Sequence, residues 1–218
     1  MRSRFSPSIT AVVLAASLLG VGPGARAQAA MPTSPAEIRK AIQSQLPPPP
    51  EGFVWKLYRN AVFLQPAKWH ERERAGQVAG IPTIAYAASP EMFTETKPFE
   101  MGLTVQILDG PHKVLGVDAS KMALAYLKPF MDLHKPEEIL RFEQNKRGDF
   151  EYTFFRYKDA PKGLKPIIVH KFLLANNVTD TVHVFTFESP ESSWAENWKK
   201  YGTPFMGKVN VLPHVPVN

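Results

Sequence analysis

The feature that most constrains the fold is a series of short strand-like segments joined by turns of a few residues. Two consecutive pairs stand out: Ile139–Asn145 with Phe150–Tyr157, and Pro166–Ala175 with Thr181–Phe187. Gly148, in the first turn, suits the positive φ that tight hairpins use. Because strands that follow one another across short turns pair antiparallel, the sequence predicts a largely antiparallel sheet.

Further strands are predicted on both sides of these hairpins, at Phe53–Tyr58, Ala61–Gln65, Ile84–Ala88, Leu103–Leu108 and Val209–Leu212. Two helices lie between or after them. Asp118 is a candidate cap for a helix that begins at Ala119, and Pro129 is expected to end or kink this helix near Lys128. The second helix is expected after Ser189.

The C-terminal helix has strong local signals. Ser189 is the predicted cap, Pro190 suits the first turn, and Gly202 is predicted to follow the end. Trp194, Trp198 and Tyr201 are spaced i, i+4 and i+7, so they share one face. Two interpretations of this face stay open: it packs on the sheet, or it is a partner-binding surface, for which these three residues are the candidates.

The first residues have the order of a secretory signal peptide. Arg2 and Arg4 precede an uncharged apolar run of about 13 residues, shorter than the roughly 20 that span a bilayer as a helix. Ala25-Arg26-Ala27 then provides small residues ahead of Gln28. The signal peptide is predicted at 1–27, cleaved between Ala27 and Gln28, with cleavage after Ala29 as the alternative. The other predicted limits are an N-terminal helix and proline-rich spacer at 28–50 and an α+β domain at 51–218.

The spacer helix is predicted over Ser34–Leu46. Ser34 and Glu37 form an S-x-x-E capping box, and Pro47–Pro50 ends the helix in a stiff extended segment. The chain has no cysteine, which excludes disulfides, thiolate metal sites and a lipid anchor. With the signal peptide, this composition predicts a soluble periplasmic or secreted protein.

Charge carries little functional information. The net charge is +6, but removal of residues 1–27 takes away three arginines and no acid, which leaves +3. The aromatic strand Phe150–Tyr157, with Arg156 and Lys158, resembles a nucleic-acid stacking platform, yet a strand buried on one side has the same pattern. We therefore expect no nucleic-acid partner.

No motif for a nucleophile, a phosphate loop or a metal centre is present. The histidines form none of the usual zinc spacings; they are His70, His112, His134, His170, His183 and His214. If Ala175 pairs with Thr181, His170 and His183 lie on opposite faces of the sheet. No catalytic residue, cofactor or metal is therefore predicted.

A family resemblance follows from the order of the elements. Val62–Trp69 looks like the opening strand, proline and tryptophan of the PsbP-like and Mog-type superfamily. Ala85–Pro90 and Phe99–Val105 resemble its next strands. Val182–Pro190, followed by Trp194 and Trp198, is similar to its last strand and C-terminal helix. These are structural residues, and none is catalytic.

The resemblance implies an α+β fold, with an antiparallel sheet flanked by helices on both faces as an α/β/α sandwich. It also implies a non-enzymatic protein that binds partners on a stable scaffold. The prediction is therefore a periplasmic binding or assembly module for an envelope partner. The alternatives are a hydrolase whose residues come from distant strands, and a carrier of a small apolar ligand held between sheet and helix.

Overall fold

A computed structural model describes residues 34–94, 98–160 and 165–212. The chain divides into two units, Met1–Leu46 and Pro47–Asn218. In the first unit, helix α1 spans Pro35–Gln45. Its capping box is confirmed: the Glu37 amide donates to Ser34 Oγ at 3.2 Å, and the Ser34 amide donates to Glu37 Oε2 at 3.0 Å.

The second unit contains a seven-stranded antiparallel sheet, in the order β3-β4-β5-β9-β8-β7-β6. The strands are β3 (His70–Val78), β4 (Ile81–Ser89), β5 (Gly102–Asp109), β6 (Ile139–Arg147), β7 (Phe150–Asp159), β8 (Ile167–Asn176) and β9 (Thr181–Pro190). The two predicted hairpins form β6–β7 and β8–β9, and Gly148 takes the expected positive φ of 58°. Strand β3 was not predicted.

A second, three-stranded antiparallel sheet has the order β1-β2-β10. It contains β1 (Phe53–Tyr58), β2 (Ala61–Pro66) and the short β10 (Asn210–Val211). Its individual strands were predicted, whereas their separation from the large sheet was not. The Trp55 indole N–H donates to the Pro47 carbonyl at 2.7 Å, which attaches the proline segment to β1.

The helices are α2 (Pro111–Leu115), α3 (Ala119–Leu133) and a C-terminal helical segment at residues 191–207. That segment combines a 3-10 turn (Glu191–Ser193), α4 (Trp194–Asn197), a π turn (Trp198–Gly202) and α5 (Thr203–Gly207). A short 3-10 turn, Pro136–Glu138, precedes β6.

Two hydrophobic cores cover the two faces of the large sheet. On one face, Phe172, Phe185 and Phe187 pack against the three-stranded sheet and Phe205 of α5. On the other face, residues such as Leu173 and Val184 pack against α3. Side chains alternate between the faces along each strand, so one hydrophobic run supplies both cores. The predicted α+β class, with helices on both faces, is confirmed.

Helix α3 begins at Ala119 as predicted, but its C-terminal end and its cap differ from the prediction. It continues past Pro129 to Leu133, because its buried face, including Leu127, packs on the sheet and outweighs one missing backbone hydrogen bond. Asp118 makes no side-chain capping bond. The Ser120 amide donates instead to Asn177 Oδ1, 2.9 Å away in the β8–β9 turn.

The C-terminal helical segment also starts later than predicted. Ser189 is not a helix cap, because β9 stays extended and paired with β8 as far as Pro190. Ser189 Oγ instead accepts a hydrogen bond from Asn197 Nδ2 at 2.7 Å. Gly202 does not end the helix: it is buried within the segment, where an added Cβ would lie 2.4 Å from Cε3 of Trp198.

The β8–β9 register differs from the expected one by a single residue. Ala175 pairs with Val182, His170 with Phe187, and His183 with Leu174. A shift of one residue exchanges the faces, so His170 and His183 lie on the same face and the prediction of opposite faces was wrong. The four-residue turn explains the shift, since Asn176 Oδ1 accepts hydrogen bonds from the amides at 178 and 179.

Candidate functional site

The three residues of the predicted helical stripe are half-buried and make different contacts. The rings of Trp194 and Trp198 stack with centroids 5.2 Å apart and planes 21° apart. Both also contact Phe187 of the core, at 5.7 and 6.0 Å. Tyr201 instead packs on the buried Trp69, with centroids 5.2 Å apart. Each tryptophan therefore contacts the core on one side and keeps part of its ring accessible.

Two arginines of the neighbouring strands β6 and β7 lie over aromatic rings on this face. Arg141 pairs directly with Arg156 after an irregularity that leaves Leu140 without a partner, so both side chains leave the sheet on the same face. The Arg156 guanidinium carbon lies 4.4 Å from the ring centroid of Trp198 and 5.2 Å from that of Trp194. The corresponding Arg141 carbon lies 4.6 Å from the Phe154 ring.

The charges of this pair are incompletely compensated. Arg141 donates to Glu143 Oε2 at 2.6 Å, but the Glu143 side chain is 58% exposed. Arg156 donates through Nε to His170 Nδ1 at 3.3 Å, and no carboxylate of the described residues lies within ion-pair distance of it. Burial, and secondarily Arg141, lowers the pKa of Arg156. Like charges directly opposite on adjacent strands are destabilising, so this arrangement calls for an additional explanation.

His170 supports Arg156 from below. It is buried, and its ring lies 4.8 Å from that of Trp198. Burial lowers the pKa of His170 well below its usual value, and the Arg156 and Arg141 charges lower it further. The neutral ring accepts the Arg156 hydrogen bond through Nδ1, so its own proton is assigned to Nε2.

We define Arg141, Phe154, Arg156, Trp194 and Trp198 as the Arg–Trp surface. Guanidinium groups bind carboxylates and phosphates through pairs of parallel hydrogen bonds. Tryptophan and arginine are also the side chains most enriched in binding hot spots. Chemically, this surface is suited to an anionic group carried on an apolar segment.

The sequence indicated the tryptophans and drew attention to Arg156 only within a nucleic-acid stacking pattern, and it did not indicate Arg141. Arg141 and Arg156 are 15 positions apart, and only the β6–β7 register and its irregularity bring them together. Strand β7 presents its buried side through Phe155 and Tyr157, while Phe154 and Arg156 lie on the other face. The aromatic residues of β7 therefore contribute to both cores: Phe150, Tyr152 and Phe154 pack on one face, and Phe155 and Tyr157 on the other.

A second polar cluster lies on the opposite face of the sheet, under α3. Lys171 is buried, its Nζ donates to Thr186 Oγ1 at 3.4 Å, and it lies 4.7 Å from the centroid of the Phe130 ring. Burial lowers the pKa of Lys171 to about 8. Burial also raises the pKa of the nearby Glu188 to about 7. Sequence reasoning missed this pair, because a lysine inside an apolar strand carries no motif.

The remaining histidines serve structural contacts. The ring of His183 is fully buried, and its Nε2 lies 2.7 Å from Oδ1 of Asn60 in the β1–β2 turn, which connects the two sheets. His134 Nδ1 donates to the Phe130 carbonyl at 2.6 Å. His112 lies 3.6 Å from Asp118, and His70 is exposed on β3. His214 is outside the described residues.

Among residues 34–94, 98–160 and 165–212, no group of three or more histidines and carboxylates is placed to hold a metal ion. No helix of the described residues has the length and apolar content needed to cross a bilayer. The predicted signal peptide and its cleavage position, Ala27–Gln28, lie outside the described residues.

Comparison with known proteins gives structural neighbours only. No family model matches the chain, and no curated protein matches it. Cyanobacterial PsbP (CyanoP) from Synechocystis is 15% identical with a TM-score of 0.44, over 73% of this chain and 91% of that chain. The Ran-binding protein Mog1p of Saccharomyces cerevisiae is 14% identical with a TM-score of 0.40, over 73% of this chain and 96% of its own. The resemblance to PsbP-like and Mog-type proteins is thus found again, as one of fold at low identity.

Proposed function

We propose that this chain is a non-enzymatic binding module of the bacterial cell envelope, and that its Arg–Trp surface binds an acidic segment of a partner protein. The module acts in the periplasm after removal of residues 1–27. The signal-peptide pattern supports the location. The Arg–Trp surface supports the mode of binding.

One observation carries the proposal. Arg156 is held against Trp194 and Trp198, directly opposite Arg141, without a carboxylate of its own among the described residues. An acidic side chain from a partner would supply the missing negative charge, while the accessible parts of the indole rings would cover its aliphatic stem. Charge-assisted hydrogen bonds of this kind contribute about 1.5–3 kcal/mol each.

The hydrolase alternative would require a histidine and a carboxylate in contact beside a substrate cavity. His134 approaches Asp159 at 3.7 Å, but neither residue lines the cavity that lies against β3, β4 and β5. The two histidines whose pKa values are strongly lowered, His170 and His183, contact Arg156 and Asn60 respectively. This arrangement favours binding over hydrolysis.

The test of the binding surface is site-specific photo-crosslinking in intact envelopes. A photoreactive residue at Lys199, which is exposed beside Trp198, is introduced into the full-length chain. We expect a discrete crosslinked adduct whose yield falls about tenfold in Arg156→Gln, the loss expected for one charge-assisted contact. In Arg156→Lys, we expect a partial loss, because the charge stays while the paired donors are lost.

Arg147→Gln is the matched control, since Arg147 is an exposed arginine at the end of the neighbouring strand β6. It removes one positive charge without touching the tryptophans, and the adduct yield should stay unchanged. An equal yield in Arg156→Gln and wild type, or equal losses in both glutamine variants, would reject the Arg–Trp surface as the binding site.

Location and processing are tested separately. Cells expressing the full-length chain are fractionated, and the N-terminus of the protein in the periplasmic fraction is sequenced. We expect the mature chain to begin at Gln28. Recovery of the protein in the cytoplasm with its N-terminal segment intact would contradict the periplasmic assignment and leave the Arg–Trp surface to be judged on its own test.

A further inference from the structure

A cavity of about 240 Å³ lies against strands β3, β4 and β5. Its sheet side is formed by two rows of paired residues, Arg72–Ala87–Thr104 and Arg74–Ala85–Gln106. The rows continue across the sheet to Thr186 and Val184, which belong to the face covered by α3. The cavity is therefore on the face opposite the Arg–Trp surface and shares no residue with it.

The floor of the cavity is made by two alanines. Ala85 and Ala87 occupy successive positions on this face of β4, whereas Tyr86 and Ala88 between and beside them belong to the core on the other face. Alanine is disfavoured in strands, because it offers little side chain to pack on its neighbours. Two alanines in adjacent rows leave a hollow where larger residues would fill the space.

An aromatic wall faces this floor from the segment that connects β4 and β5. Phe93 and Phe99 meet edge to face, with ring centroids 5.0 Å apart. Phe99 is fixed against Gly102, where an added Cβ would lie 2.6 Å from the Phe99 ring and 2.7 Å from the Ala88 carbonyl oxygen. The wall is thus positioned by a close approach that requires glycine at residue 102.

The open side of the cavity is bordered by two arginines of β3. Arg72 and Arg74 leave edge strand β3 on the cavity side, and Arg74 is exposed with no ion pair to another described residue. Glu73, between them, also borders the cavity, but its side chain leaves the strand on the other face, where its charge adds to burial in raising the pKa of Tyr58. At the inner end, Gln106 Oε1 accepts a hydrogen bond from the Tyr126 hydroxyl at 2.5 Å, which leaves the Gln106 amide as a donor.

We propose that this cavity binds a small aromatic carboxylate. The ring lies between the alanine floor and the phenylalanine wall, and the carboxylate pairs with Arg74. An apolar cavity of about 150 Å³ holds benzene, so 240 Å³ accommodates a ring with one or two substituents. Arginine donors select the anion, and the aromatic wall selects the planar body.

The test uses benzoate as the probe and benzyl alcohol as its uncharged match. Each is titrated into the 15N-labelled mature chain, residues 28–218, and amide shifts are followed by NMR. Benzoate should shift amides of the two rows, and benzyl alcohol should bind about tenfold more weakly. Arg74→Gln should weaken benzoate binding about tenfold, and added salt should weaken it in wild type.

Ala87→Leu places a side chain in the hollow and should abolish benzoate binding, with its unchanged amide spectrum elsewhere showing that the variant is folded. Arg156→Gln is the control from the other face and should bind benzoate as wild type does. Three results would overturn the proposal: no benzoate binding at millimolar concentration, equal affinity for benzyl alcohol, or undiminished binding in Ala87→Leu. None of them bears on the Arg–Trp surface.

Discussion

Replacing the buried Lys171 by methionine should stabilise the protein. The Lys171 ammonium has one hydrogen bond, to Thr186, and otherwise lies over the Phe130 ring in the core under α3. Glu188 is not within ion-pair distance, although its charge favours the ammonium. The site therefore holds a cation that burial penalises and that no adjacent carboxylate fully compensates.

The size of the effect follows from the pKa. Burial lowers the pKa of Lys171 from 10.5 to about 8, and each pH unit corresponds to about 1.4 kcal/mol. Keeping the ammonium in this site at pH 7 thus costs roughly 3 kcal/mol. Lys171→Met removes this cost, but part of the gain in stability is lost because Glu188 no longer has a cation nearby. We expect Lys171→Met to raise the free energy of unfolding by about 2 kcal/mol, or the Tm by roughly 4–8 °C.

The pH dependence gives the sharper test. Between pH 8 and 10.5 the unfolded chain keeps a proton on Lys171 that the folded chain has lost, so wild-type stability rises with pH in this window. The variant lacks this rise, and its advantage should shrink toward pH 10.5. Urea unfolding of both proteins at pH 7, 8.5 and 10 measures it. The exposed Lys208→Met is the control, with an expected change below about 0.5 kcal/mol. A destabilised Lys171→Met, or an advantage independent of pH, would refute the reasoning.

Three further predictions concern the core. Burial lowers the pKa of His183 from 6.5 to about 3, so below pH 6.5 the unfolded chain binds a proton that the folded chain does not. The free energy of unfolding should therefore fall by up to about 1.4 kcal/mol per pH unit in this range. In His183→Gln this part of the pH dependence should vanish, as measured by urea unfolding. The added methyl group in Gly202→Ala must displace the Trp198 ring, and we expect it to lower the free energy of unfolding by about 1–2 kcal/mol in thermal unfolding. An unchanged Tm together with unchanged tryptophan fluorescence would contradict the close contact. Trp69→Ala should lose about 3–5 kcal/mol because the ring is buried against Tyr201, and a loss under 1 kcal/mol would mean that this contact is not formed.

Much of the sheet could be predicted from local patterns. The hairpins β6–β7 and β8–β9 follow from apolar runs separated by turn residues, and the capping box of α1 follows from Ser34 and Glu37. Strand β3 could not be recognised, because it lies at a sheet edge and is mostly exposed. Its sequence therefore lacks the alternation that marks a half-buried strand.

The candidate site was harder to predict because it depends on register. The sequence places Trp194 and Trp198 on one helical face, but the position of Arg141 depends on an irregularity at Leu140 that has no sequence signature. Likewise, one residue of register in β8–β9 decides whether His170 and His183 share a face. The register of each strand pair is set by side-chain packing across the whole sheet, which the local sequence does not show.

The small sheet has a consequence for the order of folding. Its strand β2 lies near the start of the second unit, whereas its partner β10 lies near the end, with Asn210 paired to Val62. The pairing closes a loop on the order of 150 residues, and the entropy of that closure is recovered only once the intervening chain is compact. The β1–β2 hairpin therefore gains its third strand only when Asn210 and Val211 are available. A chain that emerges from a ribosome cannot complete this core until residues 210–211 have emerged, and until then the apolar face of that hairpin depends on other protection.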